Sequence, residues 1–120
     1  MPKQTVYFVV ELVIDEKKSA EFESVSLAMI AGSRKESGCL GYDWFLSGDG
    51  KRCRLVENYA DTNAVLAHLT GPVVQELVPM LLRSSSISRF EVYGDPGPKA
   101  AEILSGVGAE IFPLWKAFGN

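Results

Sequence analysis

Residues Thr5 to Ile14 read TVYFVVELVI, β-branched or aromatic at most positions and apolar at nearly every one rather than at alternate ones. A run of that kind predicts a central strand covered on both faces, so the rest of the chain has to supply its neighbours and its covers. Asp15 is placed to cap the segment that follows, Glu16 to Glu36, where Phe22, Val25 and Met29 recur at helical spacing, flanked by Leu27 and Ile30. Ser37-Gly38 closes that helix. Cys39 to Leu46 and Lys51 to Ala60 then read as two strands around Gly48-Asp49-Gly50, the strongest hairpin signal in the chain.

Asp61 opens a second helix through Ala64, Val65 and Leu69, which breaks near Gly71-Pro72 and resumes from Val73 to Leu82, with Pro79 tolerable only at a kink or irregular end. Ser86 to Tyr93 alternates loosely as a fourth strand. The order strand, helix, strand, strand, helix, strand is the split βαβ pattern: an α+β, ferredoxin-like βαββαβ fold with a four-stranded antiparallel sheet and both helices on one face. Tyr7, Val9, Tyr42, Trp44, Leu55 and Tyr59 cannot all reach the helix side, and a second copy of the same sheet is the simplest cover for the apolar face left over, which predicts a homodimer.

The sequence divides into a 1–95 domain and a 96–120 extension that begins at the rigid Gly94-Asp95-Pro96-Gly97-Pro98 turn. Lys99 to Leu104 and Glu110 to Phe118 read as a helical tail interrupted by Gly106 and Gly108. Its Ile103, Ile111, Leu114, Trp115 and Phe118 are too apolar to hang in water, so the tail is expected on the sheet edge or on the partner subunit. It lacks the Lys/Arg density of an amphipathic membrane anchor.

With 120 residues, 47% apolar and 22% charged, the chain can close one core. A net charge of −3 with scattered basic residues offers no stripe for a phosphate backbone, which argues against nucleic acid. The N-terminus has no secretory h-region and no stretch reads as a bilayer span, so a cytoplasmic protein with no membrane partner is expected. If Ser47-Gly48-Asp49-Gly50 is the turn, Leu46 faces Lys51, Cys53 faces Trp44 and Cys39 faces Asn58. The two thiols then lie on opposite sides of the sheet and stay free. With one histidine and no CxxC, no metal site is expected.

In that register Leu40, Tyr42, Trp44 and Leu46 share a face with Cys53, Leu55, Glu57 and Tyr59, which sets one carboxylate among aromatics. Desolvated there, Glu57 would have its pKa raised into the range of a general base; alternatively it is a structural carboxylate paired with Arg89 or a backbone donor. Glu11 interrupts the first strand on the side of Tyr7 and Val9, and could face a pocket or pair with Arg89 across the sheet. His68 is the one side chain whose ordinary pKa lies near neutrality, to be set against a half-exposed position on an amphipathic helix. Arg54 falls on the opposite hairpin face with Arg52, Asp43 and Phe45, where a solvated charge patch is the simpler reading.

The segment Ser37 to Leu69 (SGCLGYDWFLSGDGKRCRLVENYADTNAVLAHL) resembles the antibiotic biosynthesis monooxygenase family. There a Pro-Gly-Cys-x-x-Tyr strand, a short turn, a Val-Glu-x-Trp strand end and an Ala-x-His-Leu helix follow at similar spacing. The resemblance implies a dimeric α+β barrel and, in some members, oxygenation of phenolic or quinol substrates without metal, haem or flavin. It places His68 where members often carry a histidine. A second histidine that many members have beyond this helix is a valine here, in His68-Leu69-Thr70-Gly71-Pro72-Val73-Val74. The asparagine and later axial histidine of haem-degrading relatives have no counterpart, which argues against haem. The expectation is an enzyme with no cofactor acting on a small aromatic molecule. Glu57 or His68 is its base, and Tyr7, Glu11, Tyr42, Trp44, Tyr59 and Arg89 surround the ligand. The other reading is a binding or assembly module that kept the fold without the chemistry.

Overall fold

A computed structural model of the chain describes residues 4–119. Its elements are, in order, β1 (Val6–Ile14), a 3-10 turn (Glu16–Lys18), α1 (Ser19–Ser33), β2 (Cys39–Leu46), β3 (Arg52–Tyr59), α2 (Thr62–Thr70), a π-helical turn (Val73–Leu77), α3 (Val78–Leu81), β4 (Ser85–Tyr93), α4 (Pro98–Gly106) and β5 (Glu110–Phe112). The sheet order is β2-β3-β1-β4-β5, with the first four strands antiparallel and β5 parallel to β4. The ferredoxin-like α+β core is present with β1 near its middle.

The period of two in β1 sorts the sheet into its faces. Val6, Phe8, Val10, Leu12 and Ile14 are buried under the helices. Tyr7, Val9 and Glu11 point the other way and remain only partly covered. β3 follows through the pairs Phe8 with Glu57 and Val10 with Leu55, which bring Cys53, Leu55, Glu57 and Tyr59 to the helix side. On that side α1 contributes Phe22, Val25 and Met29, and α2 contributes Val65, His68 and Leu69, each set at helical spacing. Asp15 and Asp61 cap their helices, accepting from the Lys17 and Ala64 amides at 3.1 and 2.9 Å.

Several expectations need correction. The hairpin loop is longer than a four-residue turn: Leu46 pairs with Cys53 and Trp44 with Leu55, a slip of two that keeps Tyr42 and Trp44 on one face with Cys53, Leu55, Glu57 and Tyr59. A bulge between Cys39 and Gly41 then puts Cys39 opposite Tyr59, on the same face as Cys53 but at the far end of the strand. Both thiols are free for reasons of distance rather than of face. The tail is helical only over α4; beyond it the chain is extended, adds β5 to the sheet edge and runs on with Trp115 87% exposed. The run Thr62–Leu81 is, against expectation, long and apolar enough to span a bilayer by length and composition, yet here it breaks at Gly71 and packs on the sheet.

Two prolines shape this run: the residue before a proline is driven to extended backbone, and Gly71, directly ahead of Pro72, is extended and ends α2 there. Proline in a regular helix clashes with the carbonyl four residues back. The turn before Pro79 is widened, with the Val78 amide donating to the Val73 carbonyl five residues back. Close backbone approaches hold the layers together: a Cβ on Gly32 would lie 2.7 Å from Val73, and one on Gly38 would lie 2.4 Å from the Ala64 Cβ. Gly38→Ala is therefore expected to destabilise the fold by about 1–3 kcal/mol in urea denaturation. Ala64→Gly should restore part of the loss, and Gly48→Ala, with open space around it, should be neutral.

Candidate functional site

Glu57 and His68 meet on the helix face. Glu57 sits in the middle of β3 between buried neighbours, opposite Tyr42 of β2 and Phe8 of β1. His68 enters from the inward stripe of α2 and is not half-exposed as expected, but 3% exposed, against 4% for Glu57. The His68 Nε2 lies 3.4 Å from Glu57 Oε1, and its Nδ1 lies 2.8 Å from Oε1 of Glu36, in the turn that leads from α1 to β2. The Tyr59 hydroxyl donates to Glu57 Oε1 at 2.5 Å. The Tyr42 and Tyr59 rings border the imidazole, with centroids 5.9 and 4.9 Å away. One imidazole is thus held between two carboxylates, and one of those carboxylates accepts from a buried phenol.

The electrostatics follow from this arrangement. Burial pulls the His68 pKa down, but the hydrogen bond and charge of Glu57, joined by those of Glu36, outweigh it and the net shift is upward. Burial and then the Glu57 charge push the Tyr59 and Tyr42 phenols far up, so both remain protonated and Tyr59 stays a donor. The Cys39 thiol, raised to about 11 by burial and next by Glu36, is no nucleophile. An imidazolium flanked by carboxylates can give a proton at one ring nitrogen while a carboxylate beside it takes one, the pairing that acid–base catalysis requires.

This group opens on a cavity of about 300 Å³ between the sheet and the helices. Glu57, His68 and Tyr42 are its polar wall, Phe8 and Phe90 its aromatic one, and aliphatic side chains from β1, α2, α3 and α4 close the rest. A few polar groups in an apolar enclosure is the usual make-up of a small-molecule site.

The remaining residues singled out from sequence fall elsewhere. Tyr7, Glu11 and Arg89 lie on the open face of the sheet, because β1 alternates and Phe8, not Tyr7, is turned inward. Glu57 has no contact with Arg89, whose partner is Glu91 at 2.9 Å. Glu11 pairs with Arg54 at 2.9 Å and Arg52 at 3.6 Å rather than with Arg89. Trp44 is on the helix side but packs edge-on to Phe22 outside the cavity lining. Tyr59 is fully buried behind Glu57 and supports it. Sequence reading missed Glu36, although an acid at the C-terminal end of a helix, where the macrodipole disfavours it, was a signal that something else holds it there. Among the described residues no group of three or more His, Cys, Asp or Glu could hold a metal ion.

The sequence profile of the antibiotic biosynthesis monooxygenase family matches residues 5–79. Comparison with curated proteins finds no match. Among solved structures, MupZ from Pseudomonas fluorescens is similar with a TM-score of 0.82 and 26% identity over 98% of this chain and 95% of MupZ, a likeness that takes in α4 and β5. SnoaB from Streptomyces nogalater, a cofactor-independent oxygenase, shares the fold with a TM-score of 0.68 at 19% identity over 79% of this chain and 96% of its own. A conserved protein from Methanosarcina mazei does so with a TM-score of 0.67 at 19% identity, over 75% and 89%.

The raised His68 value has a signed consequence. Its ordinary value is 6.5, so the protonated imidazole contributes stability that is fully present below about pH 6.5 and is lost as pH rises through the higher folded value. In urea melts, the stability difference between the wild type and His68→Gln should shrink with rising pH over that window; a flat difference would reject the carboxylate-held imidazolium. NMR titration should show the His68 pKa falling in Glu36→Gln.

Proposed function

The chain belongs to the antibiotic biosynthesis monooxygenase family, and from that premise we propose that it is an acid–base enzyme that oxygenates a small phenolic or quinol-like molecule in the cavity, with dioxygen as the oxidant. The observation that carries the proposal is the Glu36–His68–Glu57–Tyr59 chain, whose inner carboxylate faces an apolar enclosure. Glu57 takes the phenolic proton, and the low polarity around it favours charge moving from the phenolate to dioxygen. A bond forms between the ring carbon and oxygen. Glu57 returns its proton to the distal peroxide oxygen and then takes the hydrogen of the oxygenated ring carbon; as that C–H bond breaks the O–O bond breaks with it, and His68 protonates the departing hydroxide, releasing water and leaving a quinone, so that one dioxygen is consumed per phenol with no external reductant. Glu36 orients the imidazole and, at 19% side-chain exposure, links it to solvent for reprotonation.

The alternative, a module that kept the fold without the chemistry, draws less support. It calls for a pocket filled by side chains or by the tail, whereas the cavity is open with α4 forming one wall and Trp115 directed away from it. The same residues would serve an isomerase that needs no oxygen.

The assembly belongs to the same proposal. Tyr7, Val9 and Val56 are only half covered on the open sheet face, Val13 and Phe45 are exposed there, and Leu114, Trp115 and Phe118 extend from the adjoining edge. A second copy would bury these surfaces in a symmetric dimer.

Metal-free protein should consume oxygen with a panel of hydroquinones and naphthols, and Glu57→Gln or His68→Ala should lower the rate by about 100-fold or more. Wild-type uptake no greater than that of the double variant would remove the reading for those substrates. Product formed under nitrogen would point to isomerisation instead. Sedimentation should give a two-chain particle, and truncation after Phe112 should weaken the dimer by about tenfold or more; a strictly monomeric wild type would overturn the assembly.

A further inference from the structure

The cavity has two unlike ends. At one, Glu57, His68, Tyr42 and Phe8 gather around the pair Phe8–Glu57. At the other, the wall is made by Leu82 just after α3, Ile87 of β4, and Ile103 and Val107 at the C-terminal end of α4, all apolar and 40–60% exposed. Ile87 pairs with Leu12, four residues along β1 from Phe8, which separates the two ends by roughly 13 Å. A single ring at Glu57 would not reach the far end, and four exposed aliphatic side chains around an opening are costly in water unless something apolar lies across them. The α4 wall falls outside residues 5–79, so it is added to the family core rather than part of it.

From this we infer that the substrate carries an aliphatic chain, whose reactive head binds at Glu57 and His68 and whose tail runs over Phe90 and Leu81 to leave between Ile103 and Val107 of α4 and Leu82 and Ile87. This inference rests on the acid–base reading above for the head and on the shape and chemistry of the cavity for the tail. Aliphatic side chains far outnumber Phe8 and Phe90 in the lining, and they suit a flexible chain better than a stacked ring. Val107 and Ile103 then select substrate length while taking no part in proton transfer.

Calorimetric titration of the full-length protein with 4-methyl-, 4-butyl- and 4-octylphenol, each kept below its aggregation concentration, tests this. Affinity should rise up to about threefold to fourfold per methylene buried. Val107→Asp, the most exposed of the four positions, and Ile103→Asp should abolish the rise while leaving 4-methylphenol binding unchanged; thermal melts check that both variants fold. No rise with chain length in the wild type would overturn the inference. An equal rise in the wild type and both variants would also overturn it, since it would mean partition onto some other surface. Glu57→Gln separates this inference from the one it rests on. A chain-length dependence that persists while Glu57→Gln binds every phenol as the wild type does supports the tail path and removes the head assignment.

Discussion

A strand can present each side chain to only one of two faces, and in the central strand β1 this constraint decides the rest. Once Val6, Phe8, Val10, Leu12 and Ile14 go under the helices, pairing carries the choice to β3 and then to β2. Glu57 reaches the core because it lies opposite Phe8, and Tyr42 joins it because it lies opposite Glu57. Shifting β3 by one residue would expose the carboxylate and bury Val56 and Asn58 in its place. The position of the acid–base group is therefore fixed by the same alternation that builds the hydrophobic core.

Burying a carboxylate and an imidazole is expensive unless each finds partners. Here the cost is met locally: the imidazole has a carboxylate at each ring nitrogen, and Glu57 also accepts from Tyr59. The two core clusters lie on either side of this group, one around Leu12, Phe22 and Met29 and the other around Val6, Tyr59 and Leu104, and the cavity draws its lining from both. Polar residues kept between two separately packed regions hold open a space that either region alone would close.

The sequence made the strand and helix order legible because its signals were local: the apolar run of β1, the aspartate caps of the 3-10 turn and α2, and the Gly-Asp-Gly turn. The shared face of Tyr42 and Glu57 was legible too, because a register error of two residues preserves parity. The sequence could not tell which face of β1 turned inward. Both parities there are apolar, so Tyr7 and Phe8 were equivalent until the helices chose between them. Glu36 escaped for a different reason: its partner His68 lies 32 residues on, and only the approach of α2 to the end of α1 joins them. The tail beyond α4 was misread because Ile111, Phe112 and Leu114 fit a helix stripe as readily as an edge strand, and pairing with β4 is long-range information.

The β4–β5 pair is parallel, so the chain has to cross over through α4 before it can join the sheet. The first four strands and the helices above them need none of this to pair with one another. The far wall of the cavity thus belongs to a segment joined to the sheet by a three-residue strand and packed on the core through Ala100 and Leu104. The C-terminal segment therefore shapes one wall of the cavity, while the strands and α2 that hold Glu57 and His68 in place pair and pack without it.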